Sequence, residues 1–244
     1  MSSADFTFRQ FVVRHDRCAM KVGTDGVLLG AWAHVPDRGT VLDVGTGCGL
    51  LCLMLAQRYA HIRLVGIDID ADAVVQARDN AAASPFASRI TVSHTSLQDY
   101  ALQGRHDGQP CAMVCNPPFF TEKLLPPDAR RSVARHADTL PFDELLDAAE
   151  TLLPPLGTLS VVLPTNAYND FRRMAVVRHL MLTRECFVQT TPSKAPKRVL
   201  AAFAHCPTMA ERASLPATEA THLCLTENGS RSDAYRNLTQ EFYL

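Results

Sequence analysis

The chain has 244 residues and 47% hydrophobic content, enough to bury one sizeable core, so we expect a single domain spanning residues 1–244. A formal net charge of −1 excludes a generally basic coat for nucleic acid but is compatible with local basic patches. The N-terminal residues lack the apolar segment of a secretion signal, and no run of about 18 apolar residues follows. We therefore predict a cytoplasmic protein without a membrane partner, with a monomer favoured and the oligomeric state open.

The eight cysteines include no C-x-x-C pair, which is the spacing typical of structural zinc sites. Cys48 and Cys52 are four residues apart, as are Cys111 and Cys115, and half of these four lie in predicted core segments. The pattern favours reduced, buried thiols, and we predict no bound metal.

Residues 1–35 form a predicted N-terminal arm, and residues 36–244 form the predicted core. Within the arm, Gly23, Thr24 and Asp25 are residue types that suit a tight turn and the N-cap of a helix over residues 26–33. Lys21 and Thr24 are therefore candidate contacts on an arm that closes over a bound cofactor. The alternative is a solvated arm that only covers the sheet.

Residues 40–44 form a predicted β-strand, which is followed by the glycine-rich turn 45–49 and the apolar helix 50–59. The turn has the spacing G-x-G-x-G, whereas dinucleotide sites have G-x-G-x-x-G. Asp43 places an acid just before the turn, which disfavours a pyrophosphate and suits the ammonium of an amino-acid tail. The pattern therefore favours S-adenosylmethionine over NAD. The candidate contacts are Asp43, Gly45, Thr46, Gly47 and Gly49.

A second predicted strand, residues 64–68, ends in Asp68, whose carboxylate is placed to accept hydrogen bonds from ribose hydroxyls. A helix over residues 71–83 and a strand over residues 89–93 follow. The next turn, residues 95–99, would pass the adenine of the cofactor in such a fold. The candidate contacts in this part of the chain are Asp68, Ile69, Ser96 and Leu97.

Residues 112–115 form a short apolar run typical of a buried strand, and the sequence Asn-Pro-Pro-Phe follows it. Asn116 is thus predicted at the carboxyl end of a strand, where open α/β sheets bind their ligands. Two consecutive prolines fix φ and hold the preceding residue extended, so the loop is rigid and rich in acceptors. The alternative is an ordinary proline-rich turn.

The Asn-Pro-Pro-Phe loop suits chemistry at a planar NH2 group, because the Asn116 side-chain oxygen and the Pro117 carbonyl can both accept hydrogen bonds from it. Two acceptors set off the plane favour a pyramidal nitrogen, whose lone pair is then free to attack an electrophilic methyl. Phe119 offers a flat face on which a flipped-out base could stack. The candidate catalytic residues are Asn116, Pro117, Pro118 and Phe119.

The charge changes sign along the second half of the chain. Residues 138–170 carry six acids and no Lys or Arg, whereas residues 172–198 carry seven basic residues and one acid. That asymmetry suggests an edge that faces a polyanion, although charged faces are usually only solvated. The candidate contacts are Lys194, Lys197 and Arg198, together with Arg130 and Arg131 of the loop that follows the Asn-Pro-Pro-Phe motif. Remaining predicted elements are a helix over residues 141–153, a strand over residues 157–163 and a last helix over residues 233–243.

The glycine turn, Asp68 and the Asn-Pro-Pro-Phe loop together resemble class I S-adenosylmethionine-dependent methyltransferases that modify planar amino nitrogens. A narrower resemblance, to the bacterial valine-tRNA adenine-N6 methyltransferases, is carried by residues 8–11, 15–25, 30–32, 198–200 and 241–244. It spans nearly the whole chain. It implies a doubly wound, Rossmann-like α/β sheet of seven strands with the last antiparallel and helices on both faces. The family has an acid where this chain has Ser96, and Asp99 lies three residues on.

The resemblance implies methyl transfer from S-adenosylmethionine to adenine N6 in tRNA, at position 37 just 3′ of the anticodon, with the candidate polyanion contacts binding the RNA. Catalysis would rest on positioning and hydrogen bonding, without a metal or a general base. Two alternatives stay open: a protein-glutamine N5 methyltransferase, which applies the same Asn-Pro-Pro logic to a side-chain amide, and a non-catalytic RNA-binding module. The intact Asn116 and glycine turn argue against the module.

Overall fold

The computed structural model describes residues 5–18, 20–103, 109–117 and 140–243. The first part of the chain forms β1 Asp5–Thr7, β2 Val12–Arg14, α1 Thr24–Trp32, β3 Arg38–Val44, α2 Leu50–Arg58, β4 His61–Asp68, α3 Ala71–Ala82, β5 Ile90–His94, α4 Leu97–Leu102 and β6 Pro110–Cys115. The second part forms α5 Phe142–Leu152, β7 Thr158–Pro164, α6 Thr165–Val177, β8 Leu180–Gln189, β9 Arg198–His205, α7 Met209–Ser214, β10 Glu219–Cys224, β11 Thr226–Glu227, β12 Ser230–Arg231 and α8 Asp233–Thr239.

The large sheet of the described residues has eight strands, in the order β10-β8-β9-β7-β6-β3-β4-β5. β9 runs antiparallel to both of its neighbours, and all other neighbouring pairs are parallel. The central strands are nearly continuous apolar runs because helices bury both of their faces. The predicted α/β class with a mostly parallel, doubly wound sheet is therefore confirmed.

The strand count of seven is corrected by β10, an eighth strand that pairs in parallel with β8 at the edge of the sheet. The antiparallel strand is β9, so the last strand of the sheet in chain order is not the reversed one. The first four residues of β10 are exposed. Such a half-solvated edge strand lacks the apolar run that marks a buried strand, which is why the sequence did not reveal it.

Two hydrophobic clusters fill the two faces of the sheet. α1 and α2 cover one face together with Phe8, Phe11 and Phe242, and α5 and α6 cover the other with Phe171 and Phe203. Seven of the nine residues of α1 are buried, and a helix that is apolar all round belongs in a core. The predicted arm therefore contributes α1 to the core itself.

Four helices differ from the predictions, including α7, for which no helix was predicted. α1 begins at Thr24, with Gly23 at the N-cap and no side chain capping it, so the predicted side-chain cap is absent. α4 occupies the predicted turn at residues 95–99, because Ser96 caps a new helix there. α6 was not predicted, because its charged residues interrupt the apolar pattern, although Phe171 and Ala175 are buried at helical spacing.

Side chains of α3 hold the arm against the glycine turn. Asn80 accepts from the Arg14 amide at 3.0 Å and donates to the Cys48 carbonyl at 2.8 Å. Gln76 accepts from the Arg17 amide at 2.9 Å. Both side chains are buried polar groups with partners, which is the condition for burying them at little cost. None of the helices in the described ranges is long and apolar enough to cross a membrane.

Candidate active site

Three of the sequence motifs meet at the carboxyl edge of the sheet. Val44 of β3 pairs with the residues that directly precede Asp68 on β4 and Asn116 on β6. Gly45, Asp68 and Asn116 are therefore level on three neighbouring strands, which lie about 4.8 Å apart. This edge, beyond the carboxyl ends of parallel strands, is where open α/β sheets bind ligands.

The glycine turn presents bare backbone at this edge. Gly45 and Gly47 have φ values of 67° and 54°, a left-handed region that favours glycine. A Cβ on either residue would meet no atom within 4 Å among the described residues, so open space adjoins both. At Gly49, with φ 80°, a Cβ would lie 3.3 Å from that of Ala77, so this glycine lets α3 pack closely.

Asp43 is fully buried beneath the turn. Its Oδ2 atom accepts hydrogen bonds from Thr46 Oγ1 at 2.6 Å and from Cys52 Sγ at 3.4 Å. Its Oδ1 atom has no hydrogen-bond partner among the described residues. Burial raises the pKa of this carboxyl to about 6. A buried carboxylate with one unpartnered oxygen is stabilised by a cation or a donor beside it.

The Asp68 carboxylate accepts hydrogen bonds from two backbone amides, one in the glycine turn and one just after β4. Its Oδ2 atom accepts from the Gly47 amide at 2.8 Å, and its Oδ1 atom accepts from the Asp70 amide at 3.0 Å. Each carboxylate oxygen has a second lone pair, so Asp68 can still accept from hydroxyl donors. The neighbouring Ile69 is 53% exposed and offers an apolar surface at the same edge.

Ser96 and Asp99 bind each other at the start of α4. Ser96 Oγ donates to Asp99 Oδ2 at 2.8 Å and accepts from the Asp99 amide at 3.0 Å. The serine thus acts as the helix cap, and Asp99 is the acid that this pair presents. The side chain of Leu97 is buried in the core on the α5 side, so only its backbone is available to a ligand.

Asn116 is half-buried at the end of β6, and its side chain forms no hydrogen bond with another described residue. α1 approaches it closely, since a Cβ on Gly26 would lie 3.7 Å from Asn116 Nδ2 and 3.0 Å from Leu50 Cδ2. Glycine at this position leaves space beside the amide. The predicted residues Pro118, Phe119, Arg130 and Arg131 lie outside the described residues.

The arm is joined to the far half of the sheet by an ion pair. Arg198 Nε donates to Asp25 Oδ2 at 2.7 Å, and the two side chains are 35% and 29% exposed. Lys21 and Thr24 lie exposed at the same end of α1. The guanidinium of Arg198, a predicted polyanion contact, is therefore engaged within the protein.

Lys194 and Lys197 are exposed and have no ion-pair partner in the described part of the chain. The Lys197 carbonyl accepts from the Thr165 amide at 3.2 Å, which places the loop at the carboxyl end of β7 and hence at the site edge. Arg178, by contrast, binds Asp143 and Asp147 of the acidic helix α5. Fewer basic side chains are therefore unpaired at the site edge than the run of charges in the sequence indicates.

Three residues that organise the site were not predicted: Gln76, Asn80 and Gly26. Gln76 and Asn80 are four residues apart on α3, on a stripe that otherwise consists of Ala and Val. A polar pair at that spacing on an apolar stripe is the signal that could have found them. Gly26 carried no signal, because the sequence does not show which elements will pack closely.

All eight cysteines are free thiols in the structure, and five of them are buried. In the ranges that the structure describes, no group of three or more His, Cys, Asp or Glu side chains is arranged to hold a metal ion.

A mostly parallel α/β sheet, a glycine turn over a buried acid and an acid at the end of the next strand define an S-adenosylmethionine-dependent methyltransferase. Comparison with known proteins agrees. The family model described as "Methyltransferase small domain" matches residues 22–171. A curated protein of Phocaeicola vulgatus, named tRNA1(Val) (adenine(37)-N6)-methyltransferase, is 44% identical over 100% of this chain and 99% of its own. The chain therefore belongs to the methyltransferase small-domain family. Within that family it belongs with the tRNA1(Val) (adenine(37)-N6)-methyltransferases.

Solved structures show the same fold at low identity. A predicted O-methyltransferase from Agrobacterium tumefaciens superposes with a TM-score of 0.64 at 15% identity, covering 89% of this chain and 96% of that one. TrmK of M. capricolum, in complex with S-adenosyl-homocysteine, superposes with a TM-score of 0.53 at 11% identity, covering 84% and 73%. The predicted fold, methyltransferase class and family resemblance are thus confirmed.

Proposed function

We propose that this protein transfers the methyl group of S-adenosylmethionine to N6 of an adenine in tRNA, namely the adenosine at position 37 of a valine tRNA. The observation that carries the proposal is the row of Gly45, Asp68 and Asn116 on adjacent strands, which sets an Asn-Pro loop beside a cofactor turn. The name of the 44% identical relative supports the RNA and the position. A tRNA substrate implies a cytoplasmic location.

The residues at the sheet edge fit S-adenosylmethionine, which supplies an electrophilic methyl group on a sulfonium when bound. The unpartnered Oδ1 of Asp43 matches the positive charge of the amino-acid tail, and the bare turn at Gly45 and Gly47 leaves room for it. Asp68 accepts from the ribose hydroxyls. Ile69 and the start of α4 would bind the adenine. Asp99 would supply the carboxylate that the family has at the position of Ser96.

Asn116 and Pro117 orient the adenine amine. The Asn116 side-chain oxygen and the Pro117 carbonyl accept hydrogen bonds from its two N–H groups. This turns the nitrogen lone pair away from the ring and toward the methyl donor. The nitrogen becomes acidic once it has a fourth bond, so its proton passes to water and no general base is needed. Holding the reactants in this geometry supplies most of the acceleration.

Other parts of the chain complete the site. Phe119 provides the stacking face for the flipped adenine. Lys21 and Thr24, at the start of α1, close over the bound cofactor. Lys194 and Lys197, with Arg130 and Arg131, neutralise phosphates of the RNA, and the whole chain works as one domain.

Mass spectrometry of tRNA from cells that lack the gene tests the proposal. We expect loss of N6-methyladenosine from one valine tRNA, restored by the wild-type gene but not by Asn116→Ala. An unchanged N6-methyladenosine content would contradict the tRNA assignment. If the N6-methyladenosine content is unchanged and methylated glutamine disappears from a protein of the same cells, the glutamine methyltransferase is favoured instead.

A further inference from the structure

A pair of aromatic rings lies on the outer strands of the sheet, away from the row of catalytic candidates. His222 of β10 is the register partner of Phe187 on β8, and their ring centroids are 5.4 Å apart at an interplanar angle of 24°. Tyr168 of α6 packs edge-on against Phe187 at 5.9 Å and 89°. The stack is thus fixed on its inner side, whereas His222 is exposed.

The ring pair lies at the same end of the sheet as the active site. Through the paired registers of β10, β8, β9, β7 and β6, His222 and Phe187 are level with Pro117, the residue after Asn116. Four strand spacings separate β10 from β6, which corresponds to about 19 Å. A nucleic-acid loop bound at Asn116 would have to span this distance across the end of the sheet.

The surroundings of the stack carry positive charge. The loop with the exposed lysines Lys194 and Lys197 begins directly after β8. Arg172 is exposed on α6, one turn after Tyr168. One carboxylate, that of Glu185, also lies near the stack, and it accepts a hydrogen bond from the Tyr168 hydroxyl. A planar exposed ring flanked by cations is the combination that binds unpaired bases and their phosphates.

We propose that the His222–Phe187 stack is a second base-binding site, on which an unpaired base of the tRNA loop stacks while the target adenine lies at Asn116. This inference rests on the proposed function and adds a contact that the catalytic loop does not contain. The structure also explains why histidine suits the position, since its planar ring both covers Phe187 and presents an outer face. An aliphatic side chain would provide the cover alone.

Three variants separate base stacking from packing. His222→Ala should weaken binding of an unmodified valine tRNA transcript about five- to a hundredfold, the range for loss of one stacked base. His222→Leu keeps Phe187 covered and should weaken binding to a similar degree, whereas His222→Tyr should retain it. His61→Ala, which removes an exposed histidine at the amino end of β4, is the matched control and should change nothing.

Kinetics provide a second readout. Because the stack is far from the reacting atoms, His222→Leu should raise KM for tRNA with kcat nearly unchanged, and its affinity for S-adenosylmethionine should equal that of the wild type. If His222→Leu binds tRNA as tightly as His222→Tyr while the wild type methylates tRNA normally, the stacking site is wrong and the proposed function stands. If the wild type neither binds nor methylates tRNA, both fall.

Discussion

The chemistry of the site depends on a small number of polar atoms whose partners are fixed. Asp43 and Asp68 use part of their hydrogen-bonding capacity on Thr46 and Gly47 and keep the rest for a ligand. Asn116 differs, because its amide has no hydrogen-bond partner among the described residues; the end of β6 and the approach of α1 set its position. We propose that this amide forms its hydrogen bonds with the substrate.

Asn116→Ala should lower kcat by about a hundred- to a thousandfold, the range for loss of one preorganised hydrogen-bonding group. Affinity for S-adenosylmethionine should change much less, because Asp43 and Asp68 are untouched. Single-turnover methylation of tRNA measures the first effect, and calorimetric titration measures the second. A variant that methylates at nearly the wild-type rate would mean that the Asn-Pro loop is only a structural turn.

Binding of S-adenosylmethionine should weaken as the pH falls below about 6, because the pKa of Asp43 is raised to about 6 and the cofactor's ammonium favours the carboxylate. The loss should approach tenfold per pH unit. Stability of the ligand-free protein should follow the opposite course. Its contribution from Asp43 is fully present below pH 3.8 and is lost as the pH rises through about 6.

Asp43→Asn is the control for this pH dependence, since it keeps the shape of the side chain and removes its titration. In titrations between about pH 5 and 8, the wild-type affinity should fall below about pH 6, whereas the affinity of the variant should stay constant. Two parallel lines would show that Asp43 does not bind the ammonium.

At the scale of elements, the arm and the far half of the sheet are joined where they approach the site. The Asp25–Arg198 pair connects the first turn of α1 to the start of β9, and the same turn carries Gly26 beside Asn116. The other end of α1 is held by apolar packing and by Arg58, whose guanidinium donates to the carbonyls of Gly30 and Ala33. The ion pair therefore fixes the end of α1 that faces the ligand.

Exchanging this pair should show its coupling. Asp25→Arg and Arg198→Asp should each lower kcat/KM roughly two- to tenfold, and the double exchange should recover much of the loss, because the partly exposed pair contributes modestly. The control is Arg236→Ala, which breaks an exposed pair within α8. If the double exchange is as poor as the product of the single ones, Arg198 acts through another partner.

The elements that the sequence predicted well are those whose burial is strong. β3, β4, β6 and β7 agree with their apolar runs within a few residues, and the carboxyl-edge site follows from them. β10 and α6 were missed because their exposed faces dilute the apolar pattern. The Asp25–Arg198 pair could not be predicted, since 173 residues separate its members and only the folded sheet brings them together.

At the scale of the whole molecule, a small group of exposed basic residues lies at one edge of the sheet among the described residues. Arg178 and Arg198 are paired with carboxylates, whereas Lys194, Lys197 and Arg172 are exposed there. With a net charge of −1, the molecule has no overall attraction for RNA, so binding would depend on local basic groups such as this one. We propose that RNA binds along this edge, with the loop bases near the Asn-Pro loop.

Binding of tRNA should weaken with salt through release of counterions. About four phosphate contacts to a loop-like strand correspond to a log-log slope of about −3. Replacing both Lys194 and Lys197 by Ala should flatten the slope by about one to two units and weaken all tRNAs alike, because phosphate contacts position the RNA without reading it. A wild-type line without slope would contradict a polyanionic substrate.

The most direct test of the central claim is methylation by the purified protein. An unmodified valine tRNA transcript, incubated with the protein and S-adenosylmethionine, is digested and analysed by mass spectrometry. We expect N6-methyladenosine at position 37 alone, and none in a matched transcript that carries guanosine there. Absence of N6-methyladenosine from the first transcript, or its formation at other adenosines of both, would contradict the account.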